Sequence, residues 1–249
     1  MRTIVVDFDK TFIKEHLLVQ LILYTVLYPS MHPLWRLRLF IRVAVFGMLS
    51  LVLSRFRSTN DSGVRIAYRA LRGITKSMIS EFVDGRGRNG FRINVNDQAI
   101  QILNEIVKFT KTWRGGRPSL TVSSQGSPQL AIERLLQRDD VKQKIAGFSA
   151  LESVVPSLAC HANSLEFRSG IATGRLTAPI VSKTQRLRQL MGSREPCIFV
   201  GDSEDESAVK RIIMPKVCFL NANKIKPSSV AFILSSWDSK QYAEARDAH

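Results

Sequence analysis

The chain reads as an α/β protein built on a parallel sheet, and three short apolar runs predict it. They are Thr3-Ile4-Val5-Val6, Ser119-Leu120-Thr121-Val122 and Cys197-Ile198-Phe199-Val200. Each is too short for a helix and carries β-branched or aromatic residues, as a strand buried on both faces does. Each also runs directly into polar residues: Asp7-Phe8-Asp9-Lys10-Thr11, Ser123-Ser124-Gln125-Gly126 and Gly201-Asp202-Ser203-Glu204-Asp205-Glu206. Ligands of open α/β sheets sit outside the carboxyl ends of the strands, where these polar groups fall. Strands are therefore expected at 3–7, 119–123 and 197–201, with a further one at 216–220. Helices are expected at about 97–110, 128–138, 183–191 and 204–212. The predicted architecture is a three-layer Rossmann-like core of residues 1–13 and 96–235. A mainly helical cap, residues 14–95, is inserted after the first strand, and residues 236–249 form a polar, loosely held tail.

Asp7 and Asp9 stand one residue apart at a strand end, where two carboxylates repel each other unless a cation or a proton lies between them. A hydroxyl follows at Ser123. Lys183 opens a helix-like stretch, and an acidic cluster closes the series at Asp202, Glu204, Asp205 and Glu206. Taken in order, these groups form a constellation suited to phosphate and magnesium. Ser127 precedes Pro128 and reads as a helix cap, as Ser124 also can. Thr11 reads either as a cap or as a residue steadying the first loop. Glu15 and His16 read as solvent-facing.

At Asp7-Phe8-Asp9-Lys10-Thr11, Ser123, Lys183 and Gly201-Asp202-Ser203 the chain resembles the haloacid-dehalogenase-like superfamily, in its phosphoserine-phosphatase-like branch. The stretch from Gly170 to Pro179 resembles a hairpin that this branch carries before its Lys. The resemblance covers residues 1–13 and about 96–222, and it implies a magnesium-dependent phosphomonoester hydrolase. It makes Asp7 the nucleophile that forms an aspartyl-phosphate and Asp9 the general acid and base. Ser123, Ser124 and Lys183 would hold the phosphate. Asp7, the Asp9 carbonyl and Asp202 would hold Mg2+, with Thr11, Asp205 and Glu206 around them. The sequence departs from the family at Glu206, which stands where a second Asp is usual, with Asp205 just before it. A Glu is one methylene longer, which rearranges the outer shell of an octahedral ion.

The formal net charge is +15, and 13 basic against 4 acidic residues between Lys14 and Val95 place +9 of it in the cap. Between His16 and Asn60 there are five arginines, no acid and no lysine, interleaved with the apolar stretches 17–28 and 34–53. Three readings of this segment stand side by side: helices packing on one another, an element lying in a membrane interface, and a spanning helix over 34–53. Residues 17–28 are short of the ~20 apolar residues a spanning helix needs. Arginines flanking short apolar runs suit an anionic lipid surface. The layout, a short apolar cap insert directly after the first motif, is also similar to bacterial phosphatidylglycerophosphate phosphatases of the C type. That favours a lipid-linked phosphate over a soluble metabolite such as phosphoserine or phosphocholine.

A pI near 10.2 also suits nucleic acid or a scaffold without catalysis. However, the arginines alternate with aliphatic residues rather than with stacking aromatics, and no nucleic-acid motif is visible. Cys160, Cys197 and Cys218 are widely spaced, without metal-type or redox-type pairing, which predicts a reducing compartment. Met1-Arg2-Thr3 leads into a strand and makes a poor secretory signal. The expected location is cytoplasmic, free or peripheral on a membrane face.

Overall fold

The computed structural model describes residues 3–28, 32–56, 60–85, 93–110, 119–144, 158–178, 185, 197–202 and 217–247. Five parallel strands form one sheet: β1 (Thr3–Asp7), β2 (Ser119–Pro128), β3 (Leu158–Asn163), β6 (Cys197–Gly201) and β7 (Val217–Asn221), in the spatial order β3-β2-β1-β6-β7. Between them in sequence lies an antiparallel hairpin, β4 (Leu165–Arg168) and β5 (Ile171–Leu176). Helices flank the sheet. Alternation along β1 splits its side chains between two faces. Val5 packs with Cys197 and Phe199 on one face, while Ile4 and Val6 join Ile198, Val200 and Leu220 in the main core. Burial pushes the thiols of Cys197 and Cys218 up to about 12, so both serve as packing groups.

The expected strands at 3–7 and 197–201 are observed with those limits. β2 is longer than expected. Its pairing with β3 resumes at Pro128↔Asn163 after a register shift past Ser123, which keeps the intervening loop extended. Pro128 therefore precedes its helix, α6 (Gln129–Leu136), in extended conformation rather than opening it. α5 (Asp97–Thr110) matches its expected limits and presents Ala99, Ile102, Leu103 and Ile106 to the core. α7 (Asp139–Lys144) follows α6. Apart from Gln185, which is helical, the expected helices at 183–191 and 204–212 lie outside the described residues. The C-terminal stretch is helical: α8 (Val230–Asp247) buries Val230 and Leu234 and rests Trp237 against the core.

Four helices form the insert: α1 (Leu17–Leu27), α2 (Pro33–Phe56), α3 (Asn60–Ala70) and α4 (Lys76–Val83). Its two ends meet in a narrow neck. Ile13 and Val95 form an antiparallel bridge, Lys14 N–H donates to Asn94 O at 3.0 Å, and Asn96 N–H donates to Phe12 O at 2.9 Å. Glu15 closes the neck by accepting from the Asn94 side chain at 2.7 Å. Beside the neck the insert is clamped to α6 and the residues that follow it. Arg134 makes a two-pronged bond to Asp84, at 3.0 and 2.7 Å, and Arg138 donates to Val83 O.

The hairpin belongs sequentially to the core but is bonded to the insert. Gly73 N–H donates to Ala172 O, and Ala172 N–H donates to Ile74 O, both at 2.8 Å. Gly174 permits this approach. Its φ is +78°, and a Cβ there would lie 2.9 Å from Arg72 Cβ and 3.2 Å from the Arg69 carbonyl. Gly174→Ala should therefore cost about 1–3 kcal/mol through combined backbone strain and crowding. Chemical denaturation should show the midpoint falling at constant slope. An unchanged midpoint would mean that the hairpin stands away from α3.

The insert leaves apolar surface in solvent. On α1, Val19, Leu23 and Leu27 are exposed, and on α2 so are Leu34, Trp35, Leu37, Phe40, Ile41, Val45 and Met48. On α2 most of these recur at helical spacing on one face, while Leu39 on the opposite face is buried. This reverses the usual arrangement of a surface helix, whose outward face is polar. Not all the arginines point outward with them. Arg36 donates to Tyr28 O at 2.8 Å and Arg42 to Arg72 O at 3.1 Å, so both brace the insert internally, whereas Arg38 is exposed. Among the described residues no helix is long and apolar enough to cross a membrane.

Candidate active site

Strand order reverses at β1. The chain builds outward through β2 and β3, then returns to place β6 on the other side of β1. In open parallel sheets the crevice at such a reversal is the usual ligand site. Asp7 ends β1 and Asp202 follows the last residue of β6. Val6 is paired with Val200, so the two carboxylate residues leave adjacent strands within about one residue of the same level. On the other side Asp7 is in register with Ser123 of β2. All three are buried, at 3 %, 7 % and 3 % exposure for Asp7, Asp202 and Ser123.

The chain leaves Asp7 through a strained turn. Phe8–Phe12 forms one π-type turn in which Asp9 is extended and Lys10 takes a left-handed φ of 60°. A left-handed lysine persists only where its surroundings hold it. Here the rings of Phe8 and Phe12, both buried, stack with centroids 5.8 Å apart beneath the loop. The turn brings Asp9 to the Ser124–Ser127 stretch of β2. Its carboxylate accepts from three groups. Ser124 Oγ approaches Oδ2 at 2.7 Å, and Ser127 Oγ lies 2.7 and 2.8 Å from the two oxygens. The Leu17 N–H, at the first turn of α1, reaches Oδ1 at 2.9 Å.

One sequence assignment changes here. Ser124, expected to hold phosphate with Ser123, donates to Asp9 and accepts from Ser127 N–H at 2.9 Å. Ser127 was expected to cap α6, yet that helix has no side-chain cap and Ser127 is turned to Asp9 instead. Thr11 lies within the Phe8–Phe12 turn. It is fully buried, and among the described residues its hydroxyl has no hydrogen-bond partner. Lys183, Asp205 and Glu206 lie outside the described residues.

An apo phosphoserine phosphatase superposes with a TM-score of 0.50 at 14% identity, covering 84% of this chain and 82% of the other. A HAD family hydrolase from Salmonella enterica serovar Typhi gives 0.51 at 19% identity, covering 84% of this chain and 59% of the other. The chain has the haloacid-dehalogenase-like fold. No protein-family model matches it, and no curated protein sequence does. Within this fold the switch-point crevice of β1 and β6 holds the paired carboxylates, and β2 brings the hydroxyl.

The donor set suits a hard divalent cation. Asp7 and Asp202 offer carboxylate oxygens from buried positions on adjacent strand ends, and oxygen is the ligand that magnesium prefers. Among the described residues no three His, Cys, Asp or Glu side chains gather as a metal cluster. The described carboxylate donors at this edge are Asp7 and Asp202. Asp9's own carboxylate is committed to Ser124, Ser127 and Leu17.

Proposed function

We propose that this haloacid-dehalogenase-like protein hydrolyses phosphomonoesters with Asp7 as nucleophile, and that its substrate is a lipid-linked phosphate met at an anionic membrane surface. The observation that carries the first part is the meeting of Asp7, Ser123 and Asp202, buried, at the strand ends where the sheet reverses. An Asp7 oxygen attacks phosphorus, a new P–O bond forms, and the ester P–O bond breaks. Asp9 delivers a proton to the departing oxygen. Water then attacks the aspartyl-phosphate, gives a proton to Asp9, and phosphate leaves. The Ser123 hydroxyl and Lys183 hold phosphoryl oxygens. Magnesium, held by Asp7, Asp202 and the Asp9 carbonyl, supplies charge neutralisation of the phosphate dianion.

The apolar face of α1 and α2 supports the second part. Such a surface on a basic, acid-free segment fits anionic lipid better than it fits water. Docking would put the site on the cytoplasmic face of the membrane. A release assay over lipid phosphates, phosphoserine, phosphocholine and sugar phosphates tests the reading. Turnover confined to soluble esters would favour a small-metabolite phosphatase, and none on any ester with magnesium would end the enzymatic reading.

The metal assignment has its own test. Asp202→Ala should raise the magnesium concentration for half-maximal turnover by at least about tenfold, the loss that even supporting groups of a metal site cause. Glu206→Ala should shift it less. If Glu206→Ala proves the more damaging, the ligand lies further along the loop.

A further inference from the structure

Asp9 and Ser127 are separated by 118 residues, yet Ser127 is wholly buried and its hydroxyl bridges both Asp9 oxygens. The hydroxyl is placed by structure on both sides of it. Ser127 N–H is fixed to Ser124 Oγ at 2.9 Å, and Asn163 of β3 donates to the Gln125 carbonyl of the same loop. Pro128 then holds the extended end of β2 in register with Asn163. The loop is thus braced from two directions, and its two hydroxyls converge on one carboxylate.

We infer that Ser127 is a positioning residue for proton transfer: it fixes the Asp9 carboxylate in the orientation from which the leaving oxygen is protonated. A carboxylate has about four lone-pair sites. Ser124, Ser127 and the Leu17 N–H supply three protons, the Ser127 proton being shared between the two oxygens, so when it settles on one of them a site on the other opens for the travelling proton. Without the bridging hydroxyl, Asp9 keeps one donor on each oxygen and gains freedom to rotate about its terminal bond, which is broad and two-fold. Proton transfer is sensitive to such a change because the acid must stand within hydrogen-bond reach of the departing oxygen. Ser127 itself stays on Asp9 and touches no substrate. The Leu17 bond also makes the first turn of the insert part of the same support.

This inference rests on the reading of Asp9 as the general acid, and a leaving-group comparison separates the two. An alkyl phosphate needs its leaving oxygen protonated; a p-nitrophenyl phosphate, whose leaving group is stable as an anion, needs it far less. Asp9→Asn should lose turnover much more on the alkyl ester. Ser127→Ala should show the same inequality at smaller size. Its kcat on the alkyl ester should fall about tenfold or more, within the range that general acid catalysis contributes, with little change in KM and with the nitrophenyl ester nearly unaffected. A loss equal on both esters, or none on either, overturns the role of Ser127 while Asp9→Asn still shows its inequality. If Asp9→Asn also loses both esters equally, the acid reading fails and takes this inference with it. Thermal unfolding of each variant reports whether it folds. Should Ser127→Ala not fold, Ser124→Ala withdraws the other hydroxyl, and an equal loss on both esters would again overturn the proposal.

Discussion

Asp7→Asn should fold normally and release no phosphate from any ester. The amide oxygen is a poor nucleophile, and it cannot form the acyl phosphate that divides hydrolysis into two easier steps. The loss should be large, about 10⁴-fold or more, because enzymatic accelerations of at least 10⁶ rest on such steps. Folding should survive because the substitution is isosteric and Asp7 is the last residue of β1, whose ladder with β2 and β6 is made by backbone groups. Circular dichroism and thermal unfolding would confirm that, and a malachite-green assay would read the turnover. Near-wild-type turnover would remove Asp7 as the nucleophile and with it the proposed mechanism.

The second large effect concerns the membrane. The full chain should float with anionic vesicles, and replacing Leu37, Ile41 and Met48 together by Ser should release it. These side chains are 55 %, 52 % and 62 % exposed, so each has about half its apolar surface left to bury. That is worth about 1 kcal/mol each. Three together change partitioning by roughly a hundredfold, since 1.4 kcal/mol is about tenfold. Arg38→Ser should have a smaller effect, at most about 1 kcal/mol, and it should vanish in high salt where the apolar effect persists. Arg36 and Arg42 are poor choices for this test because both brace the insert, and their removal would disturb α2 itself. If the unaltered protein stays unbound with and without anionic lipid, the apolar face has another role. A soluble phosphate ester then becomes the better substrate reading. Neither arm affects the Asp7 test, which can be run on a soluble ester.

Local pattern was enough to read the sheet. β1 and β6 could be placed to the residue because each is a short apolar run ended by an acid or a Gly-Asp pair, and both properties are set by neighbours in sequence. α5 was legible for the same reason, its apolar residues recurring at helical spacing. β2 was under-read because residues after Ser123 carry turn chemistry. Only pairing with β3, itself without a clear sequence pattern, keeps them extended. The C-terminal helix was not legible because most of it is polar, and its hold, Val230 and Leu234 with Ile233 and Trp237 beside them, depends on a core assembled elsewhere. Of the candidate site, Asp7, Ser123 and Asp202 were legible as strand-end groups, and the strand register brings them to one edge.

By itself, then, the sequence determined the strands, the carboxylates at their ends, the basic apolar character of the insert and the resemblance to one superfamily. These are properties of residues and near neighbours. Tertiary structure alone decided which hydroxyl faces which carboxylate. Ser124 and Ser127 turn to Asp9 because a loop braced by β3 meets a left-handed turn at Lys10, and no periodicity records that meeting. It also decided which face of α2 stays outside. The sequence of α2 is apolar nearly all round, so its own amphipathicity cannot orient it. Packing on α3 and the turn at Gly73, against which the Trp35 ring lies, bury Leu39 and leave Leu37, Ile41 and Met48 in solvent.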